Sequence, residues 1–394
     1  MNIQSNVPVR HRRQTVFRVF ERAWTTGVLL WVLAGPSAAA PAEPPAHPGP
    51  GYEYIHDVVP RVPWSIHVVK VDRSRADLQL DSALGGGTVQ ALNTVSGMIQ
   101  ALPSTLGKPI AAVNGDFFEI VPGFLEDPRG LQISRGELTS EPDRDYSCLW
   151  VDAGGDLHVT NVVSNFRVTW PDHRSMELGL NRPCGKDQVV LYTAALGATT
   201  RSNNGIELVL ERNGNDPWLP LRVGQELKAR VRERRAAGNT PLDPTIMVLS
   251  VGPGLSSVAG GTAPGTVLTL STATTPRLTG ARAGIGGGVT LLHEGKTGPW
   301  SAIQVRHPRT AVGWNAAHIF LVVVDGRQRS SLGMTPPELA NYMRKLGCTE
   351  ALNLDGGGSV TMWLCGQIVN SPSGGAERAA ANALVLVQRT PGKK

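Results

Sequence analysis

Four short blocks of this chain place polar, chemically able residues directly after or before apolar runs. Ala351-Leu352-Asn353-Leu354 delivers Asp355 onto Gly356, Gly357, Gly358 and Ser359, and upstream Ile319-Phe320-Leu321-Val322-Val323-Val324 ends in Asp325-Gly326-Arg327. Ile110-Ala111-Ala112-Val113 ends in Asn114-Gly115-Asp116-Phe117-Phe118, and Arg306-His307-Pro308-Arg309-Thr310 precedes the small apolar stretch Ala311-Val312-Gly313. Carboxylates can serve as nucleophiles, bases or cation ligands. The planar guanidinium suits phosphate or carboxylate, and consecutive glycines let backbone amides approach a ligand closely. Each group also has an ordinary structural use. Asn114 could cap a turn, Arg327 could pair with Asp325, and His307 reads as structural.

The elements that must hold these groups follow from the patterning. Apolar, β-branched runs bounded by turn residues read as buried strands. Between the runs ending at Asp325 and Asp355, Thr335 is an N-cap, Pro336 fits the first helical position and Glu338 completes a capping box. Leu339, Met343 and Leu346 then recur at helical spacing, and Gly347 supplies the stop. A strand, helix, strand unit of this length predicts a right-handed crossover returning a parallel neighbour, with Asp325, Arg327 and Asp355 at one sheet edge. A short helix is expected around Val95 to Leu102. Further strands are expected at Ser65–Val71 and Gly205–Leu210, with turns near Gly154-Gly155 and after Leu292. The reading is a β-rich α+β fold with a mixed sheet, in one elaborate domain from Tyr52 to Thr390.

In this order the blocks Asn114-Gly115-Asp116-Phe117-Phe118, Pro308 to Gly313, Val324 to Arg327 with Gly333-Met334-Thr335, and Ala351 to Ser359 resemble the phosphodiester glycosidases. That family includes an N-acetylglucosamine-1-phosphodiester alpha-N-acetylglucosaminidase. The resemblance runs from Ile110 to the strand at Ala383–Leu386, with Asp116 standing where many relatives carry glycine. It implies hydrolysis of the bond between an anomeric carbon and phosphate.

Ordinary glycosidases use one carboxylic acid to protonate a poor leaving group and a second carboxylate as nucleophile or base. Phosphate is already a good leaving group, with a second pKa of about 6, so cations and amides matter more than an acid. On this resemblance Asp355 is the nucleophile or base and Asp325 its catalytic partner. Arg309 and Arg327 hold phosphate, Asn114 holds a sugar hydroxyl, and Asp116 tunes specificity or binds a calcium-like hard cation. Thr310, Ser359 and Gly356 to Gly358 contact substrate. For an α-linked 2-acetamido sugar the acetamide lies on the leaving-group face, so an enzyme carboxylate must do the back-side work. Gly286-Gly287-Gly288 reads either as a second ligand-facing loop or as a flexible connection, and lacks the lysine spacing of a P-loop.

Residues 1–40 carry Arg10, Arg12, Arg13, Arg18 and Arg22, then an apolar core and Ser37-Ala38-Ala39-Ala40, the order of a secretory signal or an uncleaved anchor. Pro41 to Gly51 reads as a linker. The protein is therefore expected to be exported to a periplasmic, extracellular or cell-surface location, with no other membrane span. Net charge is +6, partly from the leader, and Arg230 to Arg235 alternate with other residues as one solvated strand face, which argues against nucleic acid as partner. A sugar phosphate or an envelope glycan is the expected partner, and the sequence demands no cofactor.

Cys148, Cys184, Cys348 and Cys365 lack zinc spacing. In an oxidising compartment they could form up to two disulfides, a Cys348–Cys365 staple around Asp355 among them, or remain free thiols. Two alternatives stand beside the phosphodiester glycosidase reading. One is a noncatalytic glycan-binding module on the same fold, and the other is a glycosidase for nonphosphorylated glycans.

Overall fold

The computed structural model describes residues 49–119, 126–202, 205–298 and 305–389. The expected leader and most of the expected linker lie outside them. The elements that position the site are β1 (Tyr52–Val59), β2 (Trp64–Asp72), β3 (Leu78–Leu84), α1 (Val95–Gln100), β4 (Lys108–Asn114), β5 (Ala283–Gly286), β6 (Arg309–Trp314), β7 (His318–Val324), α2 (Pro336–Lys345), β8 (Glu350–Asn353), β9 (Met362–Leu364) and β10 (Asn382–Gln388).

Apolar residues on both faces of the central strands produce a layered structure. One sheet runs β1-β2-β7-β6-β8 and ends in the hairpin Thr290–His293 with Lys296–Thr297. A second places β9, β4, β10 and β3 side by side. Alternate residues of β7 point to opposite faces. Leu321 and Val323 join Ile110, Val113, Leu352, Met362 and Leu386 in the core between the two sheets. Phe320, Val322 and Val324 face the other way, onto Leu339, Ala340 and Met343 of α2. The outer face of the second sheet is closed by Val95, Met98 and Ile99 of α1. The order of layers is thus helix, sheet, sheet, helix. Truncating Leu339 to alanine would cost about 2–5 kcal/mol of stability, because its site is fully buried.

Between β4 and β5 the chain builds an eight-stranded sheet that includes Ile206–Arg212 and Glu226–Arg235. It shares a core with a five-stranded sheet centred on β5. The Glu226–Arg235 strand alternates buried Leu227, Ala229 and Val231 with exposed Lys228 and Arg230, the solvated face that its sequence suggests.

The capping box is present. The Thr335 hydroxyl accepts from Glu338 N–H, and the Glu338 carboxylate accepts from Thr335 N–H at 2.9 Å. The expected adjacency of the two acid-bearing strands is corrected. β7 and β8 run in the same direction, but each pairs antiparallel with β6, which lies between them. The reason is local: only residues 315–317 separate β6 from β7, so a hairpin forms beside β7, and β2 fills its other side.

The expected disulfide staple is corrected as well, since all four cysteines are free thiols. Cys348 packs in the core beneath α2. Cys365 sits exposed in the turn after β9, where its own N–H bonds to Ile110 O.

Candidate active site

Both acid turns close over Pro308. Gly357 N–H donates to Pro308 O at 3.0 Å. A Cβ on Gly356 would come within 2.8 Å of that oxygen, and one on Gly326 within 2.6 Å of Pro308 N. Glycine is required at both turns because backbones touch there. At Gly357 a φ of +64° adds a conformational requirement. Arg327 also holds a positive φ, +60°, and its guanidinium lies over Gly357, 3.1 Å from where a Cβ would stand. The sequence-based grouping of Asp325-Gly326-Arg327 with Asp355-Gly356-Gly357 at one sheet edge is therefore realised through β6.

Asp355 is set from three directions. Its N–H donates to Gly115 O at 2.8 Å, and its C=O accepts from Asn114 Nδ2 at 2.8 Å. Carboxylate Oδ1 accepts from Gly356 N–H at 2.8 Å, while among the described residues the hydrogen-bond partner of Oδ2 is the Arg378 guanidinium, at 3.5 Å. Burial pushes this carboxyl above its usual range, opposed by the Ser359 hydroxyl, the Gly356 amide and the Arg378 charge. One oxygen thus remains open to a ligand.

Asp325 has no such opening. Its Oδ2 accepts from Ser65 Oγ and faces His67 Nε2, each at 3.0 Å. Oδ1 accepts from Asn370 Nδ2 at 3.1 Å and Ser371 N–H at 3.0 Å. The His67 Nδ1 side meets the Tyr54 hydroxyl at 2.8 Å, and the His56 ring stacks on His67 with centroids 4.3 Å apart. The expectation that Asp325 works beside Asp355 at the reacting carbon is therefore revised. Four groups already occupy its lone pairs, and it is 3% exposed.

Other expected contacts are revised for the same reason. Asn114 is fully buried, and its Oδ1 accepts from Thr310 Oγ1 at 2.6 Å and Thr361 N–H at 3.2 Å. It ties β4 to β6 and to the segments at Asp355 and Thr361, and has no free atom for a sugar hydroxyl; Thr310 is consumed by the same bond. Asp116 lies beneath the surface, accepting from Phe117 N–H and Gly130 N–H, both at 2.7 Å. A Cβ on Gly286 would stand 2.1 Å from its Oδ2, so the first glycine of the 286–288 run makes room for this carboxyl. Burial, with the Asp355 charge adding to it, pushes the Asp116 carboxyl up to about 8. Among the described residues no three His, Cys, Asp or Glu side chains come together as metal ligands. Gly288 N–H bonds to Asn353 O at 2.8 Å, so the glycine run packs tightly against β8.

Arg378 reaches the Asp355 carboxylate, while Arg309 and Arg327 lie against the glycine turn that follows it. Arg309 is anchored through Nε to Met334 O at 2.9 Å, and burial with the nearby Arg327 charge pulls it below its usual value. Arg327 touches His307 Nδ1 at 3.3–3.4 Å. Burial and the two arginine charges lower the His307 pKa, favouring the neutral ring. Among the described residues neither arginine has a carboxylate within ion-pair distance, which removes the expected alternative of an Arg327–Asp325 pair.

Sequence reasoning missed Arg378. This residue donates to the buried Ser359 hydroxyl, reaches Asp355 and lies over the Phe118 ring at 5.7 Å from its centroid. It sits in an irregular polar loop, where no periodicity marks it. His67 carried a usable signal: it shares a strand face with core residues Val69 and Val71, where a histidine needs a partner. A cleft of about 440 Å³ lined by Leu84, Met98 and Pro220 contains none of these groups.

The chain is 33% identical over 113 residues to the SPbeta prophage-derived uncharacterized protein YomE of Bacillus subtilis (strain 168). That match covers 27% of this chain and only 18% of the relative. A hypothetical protein from Synechocystis superposes with TM-score 0.68 at 19% identity, over 86% of this chain and 62% of that one. A "putative exported protein" of Burkholderia pseudomallei K96243 gives 0.62 at 26% identity, over 82% and 74%. These structures share the fold. Residues 256–387 match the sequence model described as "Phosphodiester glycosidase". That stretch holds Arg309, Asp325, Asp355 and Arg378, so the motif resemblance is borne out for the three blocks inside it, and the Asn114 block lies outside it.

Proposed function

We propose that the protein is an exported hydrolase that cleaves the bond between a sugar's anomeric carbon and phosphate in a sugar-1-phosphodiester. The observation that carries this reading is the Asp355 carboxylate, touched by Arg378, beside a glycine turn against which Arg309 and Arg327 lie without an ion-pair partner among the described residues. A carboxylate suits the anomeric carbon, where positive charge develops. Guanidinium groups suit the departing phosphate.

Water adds its oxygen to the anomeric carbon as the bond from that carbon to the phosphate oxygen breaks. The products are a free reducing sugar and a phosphate monoester, with one proton released. Asp355 either attacks the anomeric carbon first or takes the proton from the attacking water. Raising its pKa by burial suits proton transfer near neutral pH. Asp325 positions the neighbouring turn through its bonds to Ser65, His67, Asn370 and Ser371. Phosphate departs as an anion, so no raised-pKa acid is needed at the leaving oxygen.

The test is release of reducing sugar from an N-acetylglucosamine-1-phosphodiester by the wild type and by Asp355→Asn. Release by the wild type, and its loss in a folded variant, supports the reading. Equal turnover of an alkyl glycoside would sink it, because the site's cations would then have no leaving-group role.

A further inference from the structure

A second group of arginines lies at the far end of β10. A cavity of about 350 Å³ is lined by Arg135, Arg222, Arg282 and Arg389, with Asp81 and Gln79 on its wall. β10 begins at Asn382, whose Oδ1 accepts from Asp116 N–H beside the candidate active site, and ends one residue before Arg389. Seven strand residues at roughly 3.3 Å each put this cavity about 20 Å from that end.

Four guanidinium groups repel one another unless anions come between them. Among the described residues none of the four has a carboxylate within ion-pair distance, unlike Arg73, Arg75 and Arg182 elsewhere on the surface. Two carboxyls act on the group: Asp81 feels Arg389 and Arg135, and Glu137 feels Arg135 and Arg222. Even with both ionised, four guanidinium groups leave positive charge in excess.

The group is also held in place. Arg282 donates through Nε to Asp152 O at 3.1 Å and through Nη1 to Gln79 Oε1 at 3.0 Å. Arg222 Nη1 lies against Gly136, 2.6 Å from where a Cβ would stand. Arg135 occupies the first position of a tight turn with Gly136, at φ +52° and +80°. Such a turn is better served by asparagine or glycine. An arginine there carries a conformational cost, which a charge needed at that spot would explain. Its N–H is fixed by Asp81 Oδ1 at 3.3 Å.

We propose that this cavity is a second anion site, for a multiply charged phosphate group such as one borne on a saccharide, separate from the Asp355 turn. Four guanidinium groups without ion-pair partners favour a multiply charged oxyanion over a lone carboxylate.

The experiment is calorimetric titration of the full chain with pyrophosphate at low salt. It uses a background of Arg309→Gln, Arg327→Gln and Arg378→Gln, so that the cations near the Asp355 turn do not contribute. The expected result is saturable one-to-one binding, weakened at least tenfold by adding Arg135→Asn and Arg222→Gln. Asparagine tolerates the positive φ, and matching thermal melts verify that the variant is folded. Lack of saturable binding in the background, or unchanged affinity in the variant, would overturn the proposal. Neither result depends on whether the Asp355 turn hydrolyses a sugar phosphate.

Discussion

Asp325 and Asp355 end two strands that run the same way in one sheet, and each is followed by glycine, yet their surroundings differ. Asp325 is gripped by Ser65, His67, Asn370 and Ser371, contributed by β2 and by the loop after β9. Asp355 meets one amide of its own turn and one distant guanidinium. Identical local grammar therefore gives one anchor and one reactive group. The difference is written in the partners.

The largest expected effect separates the two roles outright. Asp355→Asn should lower sugar release by about a thousandfold, the scale of losing a base or nucleophile, with thermal stability unchanged or raised. Asp325→Ala should instead unfold the protein more easily by about 3–5 kcal/mol, because it strands four polar groups, read by urea denaturation. A stable but inactive Asp325→Ala would reverse the assignment.

Removing Arg378 probes the open oxygen more finely. Arg378→Ala should reduce kcat/KM by about ten- to a hundredfold, a cost of about 1.4–2.7 kcal/mol. It should also move the acid limb of the pH–rate profile upward, since the lost charge had favoured the ionised Asp355. An unshifted limb would show that the guanidinium acts on substrate alone.

A pH-dependent effect concerns the buried carboxyls Asp116 and Asp127. Burial pushes Asp116 and Asp127 each up to about 8, against roughly 3.9 in an unfolded chain. The folded state thus holds more protons between these values. Stability is fully present below pH 4 and falls as pH rises toward 8, by at most about 1.4 kcal/mol per unit for each group. Denaturation at pH 5 and pH 9 should show that slope, and Asp116→Ala should flatten it.

Local signals carried much of this architecture into the sequence. The capping box at Thr335, the apolar runs of β4, β7 and β8, and the turn at Gly154-Gly155 were all readable, because neighbouring residues decide them. The insertion of β6 between β7 and β8 was also encoded, in the short link 315–317, but competes with the crossover pattern that surrounds it. Asn114 and Asp116 looked like ligand contacts because a polar residue after a buried strand has the same appearance whether it faces water or another strand. Arg378 was hidden because its partners, Ser359, Phe118 and Asp355, come from two other segments. No window of sequence contains them together.

The placement of β6 has a practical consequence. Because β7 and β8 each bond to β6, the width of a strand fixes the spacing of the two acid turns, and the excursion through α2 has no part in setting it. Its far end, at Lys345 to Gly347, can be lengthened or given an appended reporter while the turns keep their separation. That end is the natural attachment point for a label on this protein.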